Sequence, residues 1–431
     1  MIKRDYYLNQ LIRKRENGLV KVITGLRRSG KSFLLFNIFY NFLKSSGVEE
    51  DHMITLALDD ITNQRYWNPN ELDQYIRNQL KNDGKTNYIF VDEIQLVKDV
   101  ENPYLEGSKV GFTDVVLGWT KIPHVDVYVT GSNSEMLSKN ILTRFRGKGD
   151  QIHVYPLSFK EFYQAYQGDK TRAWNEYIIF GGMPFVMQIQ DYSDKSEYLK
   201  NLFSEIYLKD IIESHRINNG ESVLGDLLSI ISSSVGSLTN PLKLSNTFKT
   251  LKKISISSTT IEQYLDCFVD AFLIEKAKRF DIKGKRIMAS PYKYYFMDIG
   301  LRNSWLNFTE IEETHIMENI IFNELRMRGF NVDVGIVEYN YKDETGKSKR
   351  TKIEIDFVCN KGNDRIYIQS ALVLPNLEKT YQETRGFLRI KDSFKKIVVV
   401  RDNIVPRKDE NGIQYVGIEE FLLDDKYTFT N

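Results

Sequence analysis

The stretch GLRRSGKS, Gly25 to Ser32, lies between an apolar run and a long segment of helical character. Its spacing, Gly-x-x-x-x-Gly-Lys-Ser, lets a turn wrap a phosphate. Backbone N–H groups face the anion, the lysine reaches the β- and γ-phosphates, and the serine hydroxyl binds Mg²⁺. The spacing recurs by chance, so the flanks decide its meaning. Gly18 to Thr24, GLVKVIT, reads as a strand ending at Gly25. The run FLLFNIFYNFLKSSG after Ser32 reads as a helix of about four turns, C-capped by Gly47. Strand, glycine loop and helix N-terminus in succession form an anion site. Gly25, Arg28, Ser29, Gly30, Lys31, Ser32 and Phe33 are the candidate nucleotide contacts. Arg27 and Arg28 have three open destinations: phosphate, a neighbouring domain, or solvent.

A second stretch answers the first. Asn87 to Gln95, NYIFVDEIQ, is a near-continuous apolar run ending in two carboxylates, the pattern of a strand buried on both faces. Asp92 at its end is placed to hold Mg²⁺ through water, and Glu93 to polarise an attacking water. A third strand, VDVYVTGSNS (Val125 to Ser134), ends in small polar residues. ATPases with an extra strand between the two nucleotide motifs carry a γ-phosphate sensor there, which makes Ser132 or Asn133 the candidate; ordinary turn chemistry competes. The following loop, ILTRFRGKGDQI, clusters Arg144, Arg146 and Lys148, with Arg146 the candidate arginine finger and a solvated basic loop the alternative. Further strands in MITLALDD and HVYPLSFKEF, and helices in NELDQYIRNQL and FTDVVLGWTKI, alternate as in a parallel α/β sheet.

The 431 residues exceed one core and point to several domains. Formal charge is +1, so any nucleic-acid surface must be local. Cys267 and Cys359 are far apart and outside any Cys-x-x-Cys pair, which fits a reducing cytoplasm. The charged start MIKRDYYLNQLIRKREN lacks an apolar leader core, and no run reaches the roughly 18 apolar residues of a membrane span. No membrane partner is expected.

GLRRSGKS, VDEIQ, VYVTGSNSEMLS, FRGKGD, YPLSFKEF and FGGMPFV occur in this order in a group of prokaryotic AAA-type ATPases, which the chain resembles over essentially its whole length. Their C-terminal domain, of unknown function, has a restriction-endonuclease-like fold. The resemblance implies an ATPase core (1–162), a helical lid or linker (163–220), a winged-helix domain (221–305) and a nuclease-like α/β domain (306–431).

The residues themselves suggest a winged helix between Glu221 and about Asn303. Helices run through SVLGDLLSIISSSVG, LKLSNTFKTL and a segment starting at a Thr259-x-x-Glu262 capping box. A hairpin around Lys-Gly-Lys follows, made basic by Lys276, Lys278, Arg279, Lys283, Lys285 and Arg286. That hairpin is the candidate DNA contact, against the alternative of packing on the core or a partner. FGGMP (Phe180 to Pro184) reads as a structural break between helices.

In the last domain, THIMENIIFNELRMRG carries Glu318 on an apolar face, and Asp356 and Glu354 sit on a later strand. Restriction-endonuclease-like domains hold metal with a helix glutamate, a strand aspartate and a following (Asp/Glu)-x-Lys. Glu318 and Asp356 match the first two. YIQSA departs, with Gln369 and Ala371 where carboxylate and lysine belong, so no nuclease activity is expected. The leading expectation is a Mg²⁺-dependent ATPase that rearranges its later domains on nucleotide turnover. The alternative is an ATP-binding switch or scaffold with little turnover, forming homo-oligomers or docking a protein partner.

Overall fold

The computed structural model describes residues 2–131, 145, 147–214, 217, 221–342 and 346–428. The chain divides into two compact units, Met1–Pro156 with Asp270–Phe272, and Leu157–Val269 with Leu273–Asn431. The first division expected from sequence, after residue 162, falls close to the observed one. The expected divisions at 220/221 and 305/306 both lie inside the second unit. Ser132, Asn133, Arg144 and Arg146 lie outside the described residues.

In the first unit, helix α1 (Asp5–Lys14) precedes a five-stranded parallel sheet of β1 (Val20–Thr24), β2 (Met53–Ala57), β3 (Asn87–Asp92), β4 (Val125–Thr130) and β5 (Gly149–His153). The order is β2-β3-β4-β1-β5, so β4 lies between the strand feeding the glycine loop and the strand ending in Asp92. Every residue of β1 and β3 is buried, as their unbroken apolar runs require.

On one face, Val22, Val91 and Val129 pack against Leu72 and Ile76 of helix α3 (Pro69–Gln79) and against Val116 and Trp119 of α4 (Phe112–Trp119). On the other, Phe39 packs against Phe90 and Tyr128 at ring distances of 6.1 and 5.0 Å. Phe39 belongs to helix α2, which runs through Lys31–Phe33, Leu34–Phe39 and Tyr40–Ser45 and closes at Gly47 with φ 92°.

The last strand differs from the reading of HVYPLSFKEF. β5 is GDQIH, four residues earlier, and pairs along β1 from Val20↔Gly149 to Thr24↔His153. As an edge strand it needs no apolar run, which hid it in a polar loop.

The second unit carries an eight-stranded sheet of β6 (Ile274–Asp281), β7 (Arg286–Phe296), β8 (Asn331–Lys342), β9 (Ser348–Lys361), β10 (Asp364–Ala371), β11 (Lys395–Val400), β12 (Arg407–Lys408) and β13 (Gln414–Gly417). Its order is β12-β13-β11-β10-β9-β8-β6-β7. The expected wing is the β6–β7 hairpin, and it forms one edge of this sheet. β6 pairs in parallel with β8 from Val334↔Arg279 to Ile336↔Asp281, which satisfies backbone groups that a free wing would expose. Of the six cations singled out from sequence, Arg279 is buried, whereas Lys283, Lys285 and Arg286 lie exposed around the turn.

Helices α5 (Lys170–Phe180), α6 (Glu221–Ser233), α7 (Pro241–Thr247), α8 (Ser258–Asp270), α9 (Ile299–Trp305) and α10 (Glu313–Met327) belong to the same unit. The cap of α8 is Ser257, whose Oγ accepts from the Thr260 N–H at 3.0 Å, two residues before the expected Thr259 box.

The FGGMP break closes α5 against backbone. A Cβ on Gly182 would lie 2.1 Å from the Leu157 carbonyl oxygen, and Gly181 has φ 71°. Buried Asp298 ties this turn to α9. Its Oδ2 accepts from the Gly182 N–H at 2.7 Å and its Oδ1 from the Leu301 N–H at 3.0 Å. Asp298→Ala leaves both buried donors unmet, so we expect the full chain to lose about 2–4 kcal/mol. The melting midpoint reads this loss, and an unchanged midpoint would contradict it.

Candidate nucleotide site

β1 ends at Gly25, where φ is 138° and a Cβ would lie 2.1 Å from the Val154 carbonyl oxygen, so only glycine lets the chain turn there. The loop returns through Gly30 in the left-handed region, φ 94°, directly before α2 begins at Lys31. Arg28 (φ 60°) and Glu93 (φ 51°) hold the same conformation without being glycine, each at a cost of about 1–3 kcal/mol.

The Lys31 side chain curls over the loop, its ammonium donating to the carbonyls of Gly25 at 3.1 Å and Leu26 at 3.0 Å. Burial pushes the Lys31 pKa down to about 8, against the opposing pull of the Glu93 and Asp92 carboxylates. Asp92, at the end of β3, has its pKa raised by burial, while hydrogen bonds from the Ser32 and Thr130 hydroxyls work the other way. Thr130 at the end of β4 donates to Asp92 Oδ1 and accepts from the Glu93 N–H at 3.1 Å. The Gln95 amide donates to the Glu93 carboxylate. The sequence-selected Gly25, Ser29, Gly30, Lys31, Ser32, Asp92 and Glu93 therefore meet at the carboxyl ends of β1, β3 and β4. Arg28 and Phe33 are exposed beside the loop, with Phe33 42% accessible.

These residues fit a nucleotide triphosphate with Mg²⁺. Ser29 Oγ is buried and has no hydrogen-bond partner among the described residues, a polar atom suited to a phosphate oxygen. Ser32 and Asp92 supply the oxygen donors that Mg²⁺ takes.

Two supporting residues were not selected from sequence. Thr130 could have been found as the polar end of an apolar run whose register, Val91↔Val129, brings it beside Asp92. Arg4 gave no local signal. Its guanidinium, buried against the Tyr7 ring at 4.6 Å, donates to the carbonyls of Ser29 at 3.1 Å and Tyr155 at 2.6 Å. It braces the glycine loop from outside.

The carboxylates singled out in the last domain also converge. Glu318 on α10 and Glu354 on β9 lie 2.8 and 2.7 Å from the Lys293 ammonium on β7, and Asp356 lies at 3.8 Å. The Tyr295 hydroxyl donates to Glu318 at 2.6 Å, and the Ser370 N–H to Asp356 at 2.8 Å. Burial, joined by the Glu318 charge, pushes Asp356 up to about 8. Burial works to neutralise Lys293, but the three carboxylates together outweigh it and its pKa rises. Gln369 turns its carbonyl to the Asp356 N–H at 3.4 Å and its amide to Glu383 at 3.3 Å, and Ala371 is buried.

A glycine loop with a buried lysine at a helix start, beside an acid-tipped strand and an intervening strand in a parallel sheet, defines a P-loop ATP-binding domain. Residues 17–163 match the family described as an AAA domain, and residues 171–312 match a domain of unknown function (DUF8612). An uncharacterized protein of Haemophilus influenzae is 33% identical over 436 residues, 98% of this chain and 99% of that protein. One of Methanocaldococcus jannaschii is 30% identical over 99% of this chain and 88% of its own. The chain belongs to the family of these two proteins, with an AAA domain at its start. Among solved structures, a Walker-type ATPase of Pyrococcus abyssi is similar over 71% of this chain and 96% of its own, at 14% identity and a TM-score of 0.49. AMPPCP-bound DnaA of Aquifex aeolicus is similar over 61% and 86%, at 13% identity and a TM-score of 0.31. Among the described residues no helix is long and apolar enough to cross a membrane.

Proposed function

We propose that the first unit hydrolyses ATP with Mg²⁺ and that turnover is coupled to nucleic-acid contact through the β6–β7 hairpin. One observation carries the ATPase reading: a buried lysine, a buried aspartate and a strained glutamate converge on a glycine loop at the carboxyl ends of a parallel sheet. When bound, Mg²⁺ neutralises phosphate charge, and Ser32 and Asp92 are the residues that would hold it. Gly25 and Gly30 shape the loop around the phosphates, Ser29 Oγ meets an oxygen, and Lys31 offsets the negative charge. Glu93 takes the proton of the attacking water, oriented by Thr130 at its N–H and Gln95 at its carboxylate. Ser132 or Asn133 as γ-phosphate sensor, and Arg146 as a finger toward a neighbouring site, complete the proposal.

For the hairpin, the exposed Lys283, Lys285 and Arg286 supply the phosphate-binding charge. The terminal sheet is read as nuclease-like without cleavage, because Gln369 and Ala371 supply neither the carboxylate nor the lysine of that chemistry. Mg²⁺- or Mn²⁺-dependent plasmid nicking that disappears in Asp356→Ala would overturn this.

The test of the main reading is phosphate release from ATP with and without duplex and single-stranded DNA. DNA is expected to raise the rate in the wild type and to lose its effect when Lys283, Lys285 and Arg286 are changed to glutamate. No phosphate release under any condition refutes the ATPase reading. A rate that DNA never alters refutes the coupling alone.

A further inference from the structure

We propose that Lys293 is the resident cation of the Glu318–Glu354–Asp356 cage, filling from within the chain the position a divalent metal would take. The inference stands apart from the ATPase reading. Three carboxylates drawn from α10 and β9 surround one point, where their mutual repulsion calls for a cation or for protonation. The Lys293 ammonium lies at that point, its side chain only 4% exposed, within 2.8 Å of Glu318, 2.7 Å of Glu354 and 3.8 Å of Asp356. The cage is built to hold these oxygens in place. Tyr295 and the Ser370 N–H fix Glu318 and Asp356, and the Tyr295 ring stacks on Phe322 of α10 at 4.2 Å. Gly236 leaves room for the Glu318 carboxylate, since a Cβ there would lie 3.2 Å from Oε1.

An all-oxygen donor set suits Mg²⁺ or Mn²⁺ in kind, but these donors do not fit a metal while Lys293 is present. A divalent ion bound at about 2.0–2.4 Å from the same oxygens would sit within about 4 Å of the ammonium, in a buried site that screens little of the repulsion. Gln369, at the motif's carboxylate position, has its carbonyl turned to the Asp356 N–H. Lysine takes the metal's electrostatic part, holding the carboxylates together, and brings no Lewis acidity with it. Its strand position also matters: through this ion cluster β7 is joined to α10 and β9, so the edge hairpin is pinned at the cage.

The test uses the full chain, stripped of metal and free of nucleotide, with Mn²⁺ as probe and bound metal counted by electron paramagnetic resonance. Lys293→Ala is expected to bind about one more Mn²⁺ per chain than the wild type, and Lys293→Ala with Asp356→Asn to lose it. Mn²⁺ at about 100 times its dissociation constant should raise the melting midpoint of Lys293→Ala by about 5–10 °C, with no such shift in the wild type. Lys293→Met, which keeps the apolar stem, carries the same expectation where alanine folds poorly. A folded Lys293 variant without the added Mn²⁺ overturns the proposal. So does a wild-type Mn²⁺ count that falls in Asp356→Asn, a comparison needing no Lys293 variant.

Discussion

Lys31→Ala is expected to lower kcat/KM for ATP by about 10²–10³-fold while the sheet stays folded. The ammonium is held by two loop carbonyls, those of Gly25 and Leu26, in the concave face that phosphates would enter. Alanine removes the charge and leaves the cradle without its cation, so nucleotide affinity falls together with turnover. The same residue sets a pH limit. Its pKa lies at about 8 instead of the ordinary 10.5. Above pH 8 the free protein carries Lys31 neutral, and binding must take up a proton. ATP affinity is then expected to fall by about tenfold per pH unit. Stability runs the other way. Between about 8 and 10.5 the unfolded chain holds more protons at this group than the folded one, so this group's contribution to stability rises with pH. Fluorescent-nucleotide titrations across pH 7–9.5 check the first slope and urea melts the second. Affinity that stays flat through pH 9 would refute the assigned role.

How much of this could be read from residues alone depended on burial. β1, β3 and β4 are covered on both faces, so their runs GLVKVIT, NYIFVD and VDVYVT stand out, and the glycine loop and Asp92 follow by adjacency. β5 did not stand out because an edge strand tolerates GDQIH. Residues brought in from far along the chain were beyond reach. Arg4 meets Ser29 across 25 positions and Tyr155 across 151, with no local pattern to mark it. Lys293, on the second strand of the basic hairpin, was not singled out from sequence. Only the pairing of β6 with β8 places that hairpin in the sheet with Glu354 and Asp356, and so places its lysine among the acids. Sheet pairing reaches across the sequence in the same way: the eight-stranded sheet takes strands from both sides of the 305/306 position that the resemblance implied as a boundary.

Glu93→Gln is expected to lower kcat by about 10²–10⁴-fold with ATP affinity retained, separating chemistry from binding. The substitution keeps the shape of the side chain. The backbone turn at φ 51° stays anchored by the Glu93 N–H on Thr130, and a glutamine carbonyl can still accept from the Gln95 amide. What is lost is the carboxylate that can take a proton from water. A second consequence distinguishes loss of charge from a disturbed turn. Glu93 exerts the largest upward pull on the Lys31 pKa, ahead of Asp92. Without it, burial acts on Lys31 with less opposition, so the pH above which ATP affinity declines should move below about 8. Asp92→Asn should move that limit the same way but also weaken Mg²⁺-dependent binding, because Asp92 is a proposed metal ligand and Glu93 is not. Steady-state phosphate release and nucleotide titration on both variants, each across pH, resolve the pattern. Equal turnover in Glu93→Gln and wild type removes Glu93 from the chemistry. Reduced turnover with an unmoved pH limit would instead assign its effect to the turn.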